Sequence, residues 1–152
     1  MKIIKHKFLS GYNVILTALM ALLGFATSCE PIGGAEYGVP HARFIVKGKI
    51  VSAEGNAPVP NIKVRMQQDT NIRYYDSAYS ESNGNYQVDI VDFPESQTYK
   101  IEFIDTDGSA NGDFQTLDTV VEFKEPKFTG GSGNWDEGET QKIFNVALKP
   151  KK

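Results

Sequence analysis

Apolar and polar residues alternate along most of the chain after residue 42, and this period of two predicts β-strands. In 43–51, the residues Phe44, Val46, Gly48 and Ile50 alternate with Ile45, Lys47, Lys49 and Val51. The segment 62–67 repeats the pattern, with Ile, Val and Met at every second position. Successive side chains of a strand point to opposite faces, so each segment is expected to bury one face.

Several later segments continue this alternation. The further candidate strands are 72–79, 86–90, 99–103, 117–123 and 142–148. Asn83-Gly84 lies between two of them and predicts a hairpin, because both residue types can adopt positive φ. No helical periodicity is found after the first 28 residues. About seven short strands separated by turn residues predict an all-β fold, an antiparallel sandwich.

The inward positions of these strands form the predicted core. Its members are Phe44, Val46, Val64, Tyr86, Val88, Ile101, Phe103, Val121, Phe144, Val146 and Leu148. We expect the aromatic side chains among them to serve packing rather than ligand binding, since strand alternation normally places such residues in the interior.

Two long segments, 105–116 and 125–140, are polar and rich in glycine, and both are predicted to be loops. They hold Phe114, Phe128 and the only tryptophan, Trp135. Long loops in compact domains are often functional, so these aromatic side chains are candidate binding residues. Packing of the same rings back onto the sandwich is the alternative, and we favour it.

The first 28 residues have the three parts of a secretory signal peptide. Three lysines lie among the first seven residues, 8–25 is apolar, and 26–28 are small. The single cysteine, Cys29, follows directly, which makes the segment a lipobox. We therefore expect cleavage before Cys29, acylation of that residue, and a tether over 29–42 leading to a domain over 43–152.

A transmembrane helix over 8–25 is the alternative interpretation. The segment is near the minimum length for a span, but polar residues and a glycine interrupt 10–13. A lone cysteine in an exported protein is sometimes a free thiol or an intermolecular disulfide partner, but its place after 26–28 favours lipidation. Several acyl chains on one residue suffice for stable anchoring in a bilayer.

Removal of residues 1–28 leaves 124 of the 152 residues, which suits one domain with its own core. The remaining chain has 13 Lys and Arg against 19 Asp and Glu, a net charge of −6. This acidic balance, without runs of basic and aromatic residues, disfavours nucleic-acid binding. With a single cysteine no internal disulfide forms, so stability must come from packing.

Three segments carry a first resemblance to a known family. They are VKGKIV at 46–51, PVPNIKV at 58–64 and SNGNYQV at 82–88. Together they resemble the carboxypeptidase-regulatory-like module, a transthyretin-like or Ig-like β-sandwich, over roughly 44–104. The resemblance implies a fold and little about function, because such modules serve several roles.

A second resemblance covers nearly the whole chain. It rests on EYGVPHA at 36–42, FIDTDG at 103–108, NGDFQ at 111–115 and VEFKEPKFTGG at 121–131. These segments are similar to the radical-SAM-associated lipoproteins of Bacteroidetes-type bacteria. The resemblance implies a radical SAM protein as partner or pathway neighbour. It does not imply that activity here, because one cysteine cannot supply the three that the iron–sulfur cluster needs.

The acidic loop is the best candidate for a metal site. Asp105, Asp107, Asn111 and Asp113 offer several hard oxygen ligands of the kind that Ca²⁺ prefers. The spacing departs from the EF-hand, since glycine is the fourth residue and Thr116 stands where a bidentate Glu is expected. The favoured interpretation is a hairpin loop whose Asp and Asn side chains cap their own backbone. No other cofactor is predicted.

No catalytic residue is predicted. His41 is the only histidine after residue 28 and lies in the tether without a recognisable nucleophile. One histidine without cysteine does not make a usual zinc site. Carboxylate pairs for glycoside hydrolysis are not singled out. An isopeptide crosslink of Lys47 or Lys49 with Asn145 is disfavoured because the alternation turns these side chains away from the core.

We expect a non-enzymatic, membrane-anchored interaction module whose partners are the lipid bilayer, through Cys29, and an envelope protein or glycan. The alternative is a substrate modified by the associated radical SAM enzyme, at 105–113 or 129–134. A hydrolase is the least favoured. The expected location is the outer membrane, facing the periplasm, because Glu30 is followed by Pro-Ile-Gly-Gly and not by an acidic cluster. Surface exposure is the alternative.

Overall fold

The structure, a computed structural model, describes residues 12, 14–16, 18–19, 38–68 and 74–151. The chain divides into two units, Met1–Tyr37 and Gly38–Lys152. In the first unit the described residues are helical and exposed. Cys29 and most of its predicted signal peptide and tether lie outside the described residues. Among the residues described, no helix is long and apolar enough to cross a membrane.

The second unit is built from nine strands. They are β1 His41–Ser52, β2 Ile62–Gln68, β3 Tyr75–Tyr79, β4 Asn85–Asp92, β5 Gln97–Asp105, β6 Leu117–Phe123, β7 Thr129–Gly133, β8 Asp136–Ile143 and β9 Val146–Leu148. One sheet has the order β4-β1-β8-β7, with β9 also paired to β1, and the other has the order β3-β2-β5-β6. The predicted all-β sandwich is confirmed.

The long first strand organises the first sheet. β1 pairs with β4 in antiparallel register, Val46 opposite Val88. On its other edge it pairs in parallel with β8 and then with β9. The antiparallel sandwich thus includes two parallel strand pairs, both made by β1. Strand direction between partners that are distant in sequence depends on the route of the chain between the sheets, which alternation does not encode.

The segment 125–140, predicted to be a loop, contains the hairpin of β7 and β8 at the edge of the first sheet. All five residues of β7 are exposed, and β8 is polar and largely exposed. Neither strand buries an apolar face, so no hydrophobic period marks them. Backbone pairing places them in the sheet, β8 on β1 and β7 on β8, which explains why the sequence did not reveal them.

The two sheets enclose the predicted core. Ten of the eleven predicted core side chains are buried, and Phe144 packs against them half-buried. At one end Phe44 lies 5.5 Å from Phe128, 5.6 Å from Tyr99 and 5.2 Å from Phe123, measured between ring centroids. Tilted and edge-to-face pairs of this kind add to the stabilisation from burial.

A short interruption separates β8 from β9, where the carbonyl of Phe144 turns toward β1. The hydroxyl of Tyr86 donates to that carbonyl at 2.6 Å. The Lys49 amide donates to Asn145 Oδ1 at 3.0 Å. A Cβ at Gly48 would collide with the Phe144 carbonyl, so glycine permits this close approach. Side chains thus replace the sheet hydrogen bonds that the interruption removes.

The second unit has two ends that differ in composition. The entry end holds Gly38 and the start of β1, together with Tyr74, Phe93 and Trp135, which border β3, β4 and β8. The far end holds the turns that join β1 to β2 and β3 to β4, and the loop from β5 to β6.

Candidate functional site

The acidic loop folds around the carboxylate of Asp105. Its Oδ1 accepts from the amides of Asp107 and Gly108, both at 3.2 Å, and its Oδ2 accepts from the Phe114 amide at 2.7 Å. A carboxylate that accepts three backbone hydrogen bonds fixes the conformation of the loop. This is the capping arrangement that the sequence favoured over calcium.

The other oxygen-bearing residues of the loop also have protein partners. Asn111 Nδ2 donates to Asp107 Oδ2 at 2.6 Å, and this bond is the main cause of the lowered pKa of Asp107. Asp113 pairs with Lys151 at 2.6 Å, which raises the pKa of Lys151. Across the described residues no three His, Cys, Asp or Glu side chains converge as metal ligands. Calcium at this loop stays a prediction.

The three aromatic binding candidates are not brought together. Phe114 is buried in the core at the far end, where it pairs with Pro150. Phe128 packs half-buried on Phe44 near the entry end. Trp135, also at the entry end, lies against Gly38, and its carbonyl accepts from the His41 amide at 2.8 Å. Phe114 and Phe128 thus pack back onto the sandwich, while Trp135 remains partly exposed.

His41 is the first residue of β1 rather than part of the tether. Its Nδ1 lies 3.1 Å from the Val39 carbonyl oxygen. The imidazole is exposed and interacts with its own backbone segment, an arrangement that orients no nucleophile.

The structure reveals an exposed aromatic surface that the sequence analysis missed. It lies on the outer side of the β3-β2-β5-β6 sheet, and we call Lys63, Arg65, Tyr75 and Tyr79 the tyrosine face. Tyr75 and Tyr79 are 54% and 56% exposed. The Arg65 guanidinium carbon lies 4.5 Å from the Tyr75 ring centroid, which is cation–π geometry. Register places Lys63 opposite Tyr79.

Charged side chains of the neighbouring strands β5 and β6 lie beside the tyrosine face. Glu102 lies 3.6 Å from Arg65 and 2.8 Å from Lys100, whose pKa it raises. Lys100 also lies 3.9 Å from Asp118 on β6. These paired charges hold the long side chains close to the sheet. The sequence predicted a strand over 72–79 but contained no signal for which of its faces would be solvent-facing.

A shallow groove of about 270 Å³ lies at the entry end. Its lining residues are Val39, Pro40, His41, Gln68, Tyr74, Val91, Asp92 and Phe93. The Tyr74 hydroxyl donates to the Val91 carbonyl at 2.9 Å, which holds the tyrosine against β4. The groove is mostly apolar, whereas the loops of the far end are mostly polar.

Comparisons with known proteins identify no family for this chain. No protein-family model matches, and no curated protein matches significantly. Among solved structures, the Bacillus anthracis TIE protein has a TM-score of 0.43 and 11% identity over 73% of this chain and 17% of its own. A 9R-lipoxygenase from Cyanothece PCC8801 has a TM-score of 0.34 and 16% identity over 68% of this chain and 16% of its own. The chain thus spans less than a fifth of either protein, and neither likeness bears on function.

Proposed function

We propose that the chain is a lipid-anchored interaction module of the cell envelope, without enzymatic activity. Acylated Cys29 would hold it to the bilayer, on the outer membrane and facing the periplasm. The sandwich would then present a surface to an envelope protein or glycan. The lipobox supports the anchor, and the tyrosine face is the observation that supports the interaction.

The tyrosine face has the chemistry of a contact surface. Tyrosine and arginine are enriched among the residues that dominate binding energy at protein interfaces. Tyr75 and Tyr79 are four residues apart on one strand, so their attachment points are separated by about 13–14 Å. Arg65 is held between Tyr75 and Glu102, so its side chain loses less conformational entropy on binding than a free arginine would.

The anchor is tested by the intact mass of the protein purified from its native envelope. We expect the mass of residues 29–152 plus acyl chains, and an unprocessed, unacylated chain for Cys29→Ser. The same measurement is made with the neighbouring radical SAM gene deleted. An unacylated wild-type chain would contradict the proposal.

The interaction is tested with a photocrosslinking amino acid placed at Tyr79 in cells. Ile143, 69% exposed on the other sheet, is the matched control position. We expect a discrete adduct from position 79 that position 143 does not give, and its loss on Tyr75→Ala. Equal labelling from both positions would argue against a contact surface on the tyrosine face.

A second candidate function is that of a substrate for the associated radical SAM enzyme. The observation that favours it is the exposed, glycine-rich strand β7 at the edge of its sheet, where a modifying enzyme would reach the backbone. A mass change that depends on the neighbouring gene and maps to 129–134 or 105–113 would establish this role.

A further inference from the structure

The entry end exposes a cluster of apolar side chains. Val39 is 57% exposed, Tyr74 45%, Val91 43% and Phe93 54%, and all four line the same groove. Single exposed apolar residues are common on protein surfaces, but a cluster rimmed by polar groups marks an interaction site.

Several hydrogen bonds involve the backbone of Phe93. The Phe93 amide donates to Asp92 Oδ1 at 2.8 Å, and the Phe93 carbonyl accepts from the Glu95 amide at 2.8 Å. Gln97 Nε2 donates to the same carbonyl at 3.2 Å. The backbone that carries the exposed ring is therefore ordered, so little entropy is lost when the ring is covered.

The partly exposed indole of Trp135 lies at the same end of the sandwich. The strand order β4-β1-β8 places Phe93, after β4, on one side of β1 and Trp135, before β8, on the other. Between them runs the segment from Gly38 to His41, with Gly38 packed on the indole. Aromatic side chains thus flank the point where the chain enters the sandwich.

Covalent geometry limits how far this end lies from the lipid anchor. Nine residue steps separate Cys29 from Gly38, and a fully extended chain spans at most about 3.6 Å per step, roughly 32 Å in all. The far end is separated from Gly38 by the additional length of the twelve-residue strand β1. An anchor at Cys29 would therefore attach the domain at the end that bears the exposed apolar cluster.

Charge and residue type indicate which lipids this end suits. Tyrosine and tryptophan concentrate at membrane interfaces, where an apolar ring and a polar atom are both accommodated. The charged residues adjoining the cluster in sequence are Arg73, Asp92, Glu95 and Asp136, with Arg43 paired to Asp89 at 2.7 Å. Three carboxylates against one basic residue do not favour anionic headgroups, so apolar contact with zwitterionic lipid fits better.

We infer that the entry end docks on the bilayer surface, with Val39, Tyr74, Val91, Phe93 and Trp135 in the interface between headgroups and acyl chains. The inference rests on the proposed acylation of Cys29, which brings this end to the membrane. Docking would fix the orientation of the sandwich and leave the far end facing away from the bilayer. The acyl chains would supply the attachment and the docked surface would supply the orientation.

The test uses Trp135 as its probe, because it is the only tryptophan in the chain. The acylated protein, purified from its native envelope, is reconstituted in phosphatidylcholine vesicles with or without bromine on the acyl chains. Flotation of the vesicles measures anchoring, and bromine quenching of Trp135 fluorescence measures docking. We expect the protein to float and its fluorescence to be strongly quenched by the brominated lipid.

A paired substitution provides the decisive comparison. Val91→Ser with Phe93→Ser should float like the wild type but lose most of the quenching, whereas Ile143→Ser, a more exposed control on β8, should keep it. Far-UV circular dichroism checks that all three chains fold. The inference is overturned if a floating wild type shows no quenching. A crosslink of that protein to a second copy through position 93 would then assign the surface to self-association. Failure to float would instead contradict the acylation itself.

Discussion

The two ends of the sandwich satisfy different physical demands. At the far end, polar groups are paired internally: Asp105 accepts three amides, and the buried Ser80 hydroxyl donates to the Val59 carbonyl at 2.8 Å while accepting from the Ile62 amide at 3.0 Å. At the entry end, apolar groups remain exposed around Phe93. These polar groups of the far end have their partners within the chain, whereas the entry end retains exposed apolar surface for another contact.

This difference teaches where to look for function in such a domain. A polar loop with many carboxylates resembles a site in sequence, yet Asp105 accepts from the loop backbone, and Asp107 and Asp113 have side-chain partners. Exposed apolar residues scattered in the sequence resemble nothing in particular, yet the fold collects four of them in one groove. Surface that remains unsatisfied after folding is the better indicator of an interaction.

The largest expected effect is a difference in the free energy of unfolding between a substitution in the interior of the entry end and one on its surface. Phe44→Ala should lower the free energy of unfolding by about 3–5 kcal/mol, because it removes a buried ring that contacts three other aromatic rings. Phe93→Ala, the same change at an exposed position, should cost no more than about 0.5 kcal/mol. Urea unfolding of the mature chain carrying Cys29→Ser measures both. Equal losses would mean that Phe93 belongs to the core.

The next effect tests whether the far end depends on Asp105. Asp105→Ala removes the acceptor of three backbone amides and should destabilise the mature chain by about 2–3 kcal/mol. Asp118→Ala, an exposed acid on β6, is the matched control and should stay near the wild-type value. Urea unfolding again provides the measurement. A wild-type value for Asp105→Ala would show that the loop does not need its cap.

A smaller effect concerns the titration of one carboxylate at each end. The pKa of Asp107 is lowered mainly by the Asn111 amide, and that of Asp136 mainly by the Gly138 amide. Each lowered pKa stabilises the fold above the ordinary Asp value of about 3.9, and that contribution is lost as the pH falls through the folded-state pKa. Asn111→Ala should raise the pKa of Asp107 and leave Asp136 unchanged, as followed by carboxyl ¹³C chemical shifts. A change in the pKa of both carboxylates would show that the two ends are coupled.

Calcium should have the smallest effect, since the oxygens of the acidic loop already have partners. We expect the same melting temperature for the mature chain in calcium and in chelator. A rise with calcium that Asp107→Asn abolishes would instead establish the loop as a calcium site and make the far end resemble a binding site.

The sequence predicted most of the strands because they bury one face. Tyr86, Val88 and Ile90 mark β4, and Ile101 and Phe103 mark β5, with a period that survives in the structure. β7 buries no residue and could not be predicted in this way. For the candidate site, the sequence identified the acids of the loop and their capping role. It did not reveal that Asp113 pairs with Lys151, because the two residues are distant in sequence and only folding brings them together.

The sequence by itself determined the all-β class and about half of the core, 10 of its 19 buried residues, and it predicts a lipid anchor at Cys29. These follow from local patterns, since alternation and the lipobox involve residues within a few positions of one another. Only the tertiary structure decided that β8 and β9 run parallel to β1, and that Val39, Tyr74 and Phe93 share one groove. Strand neighbours are selected by burial and backbone pairing between distant segments, and no local pattern encodes that selection.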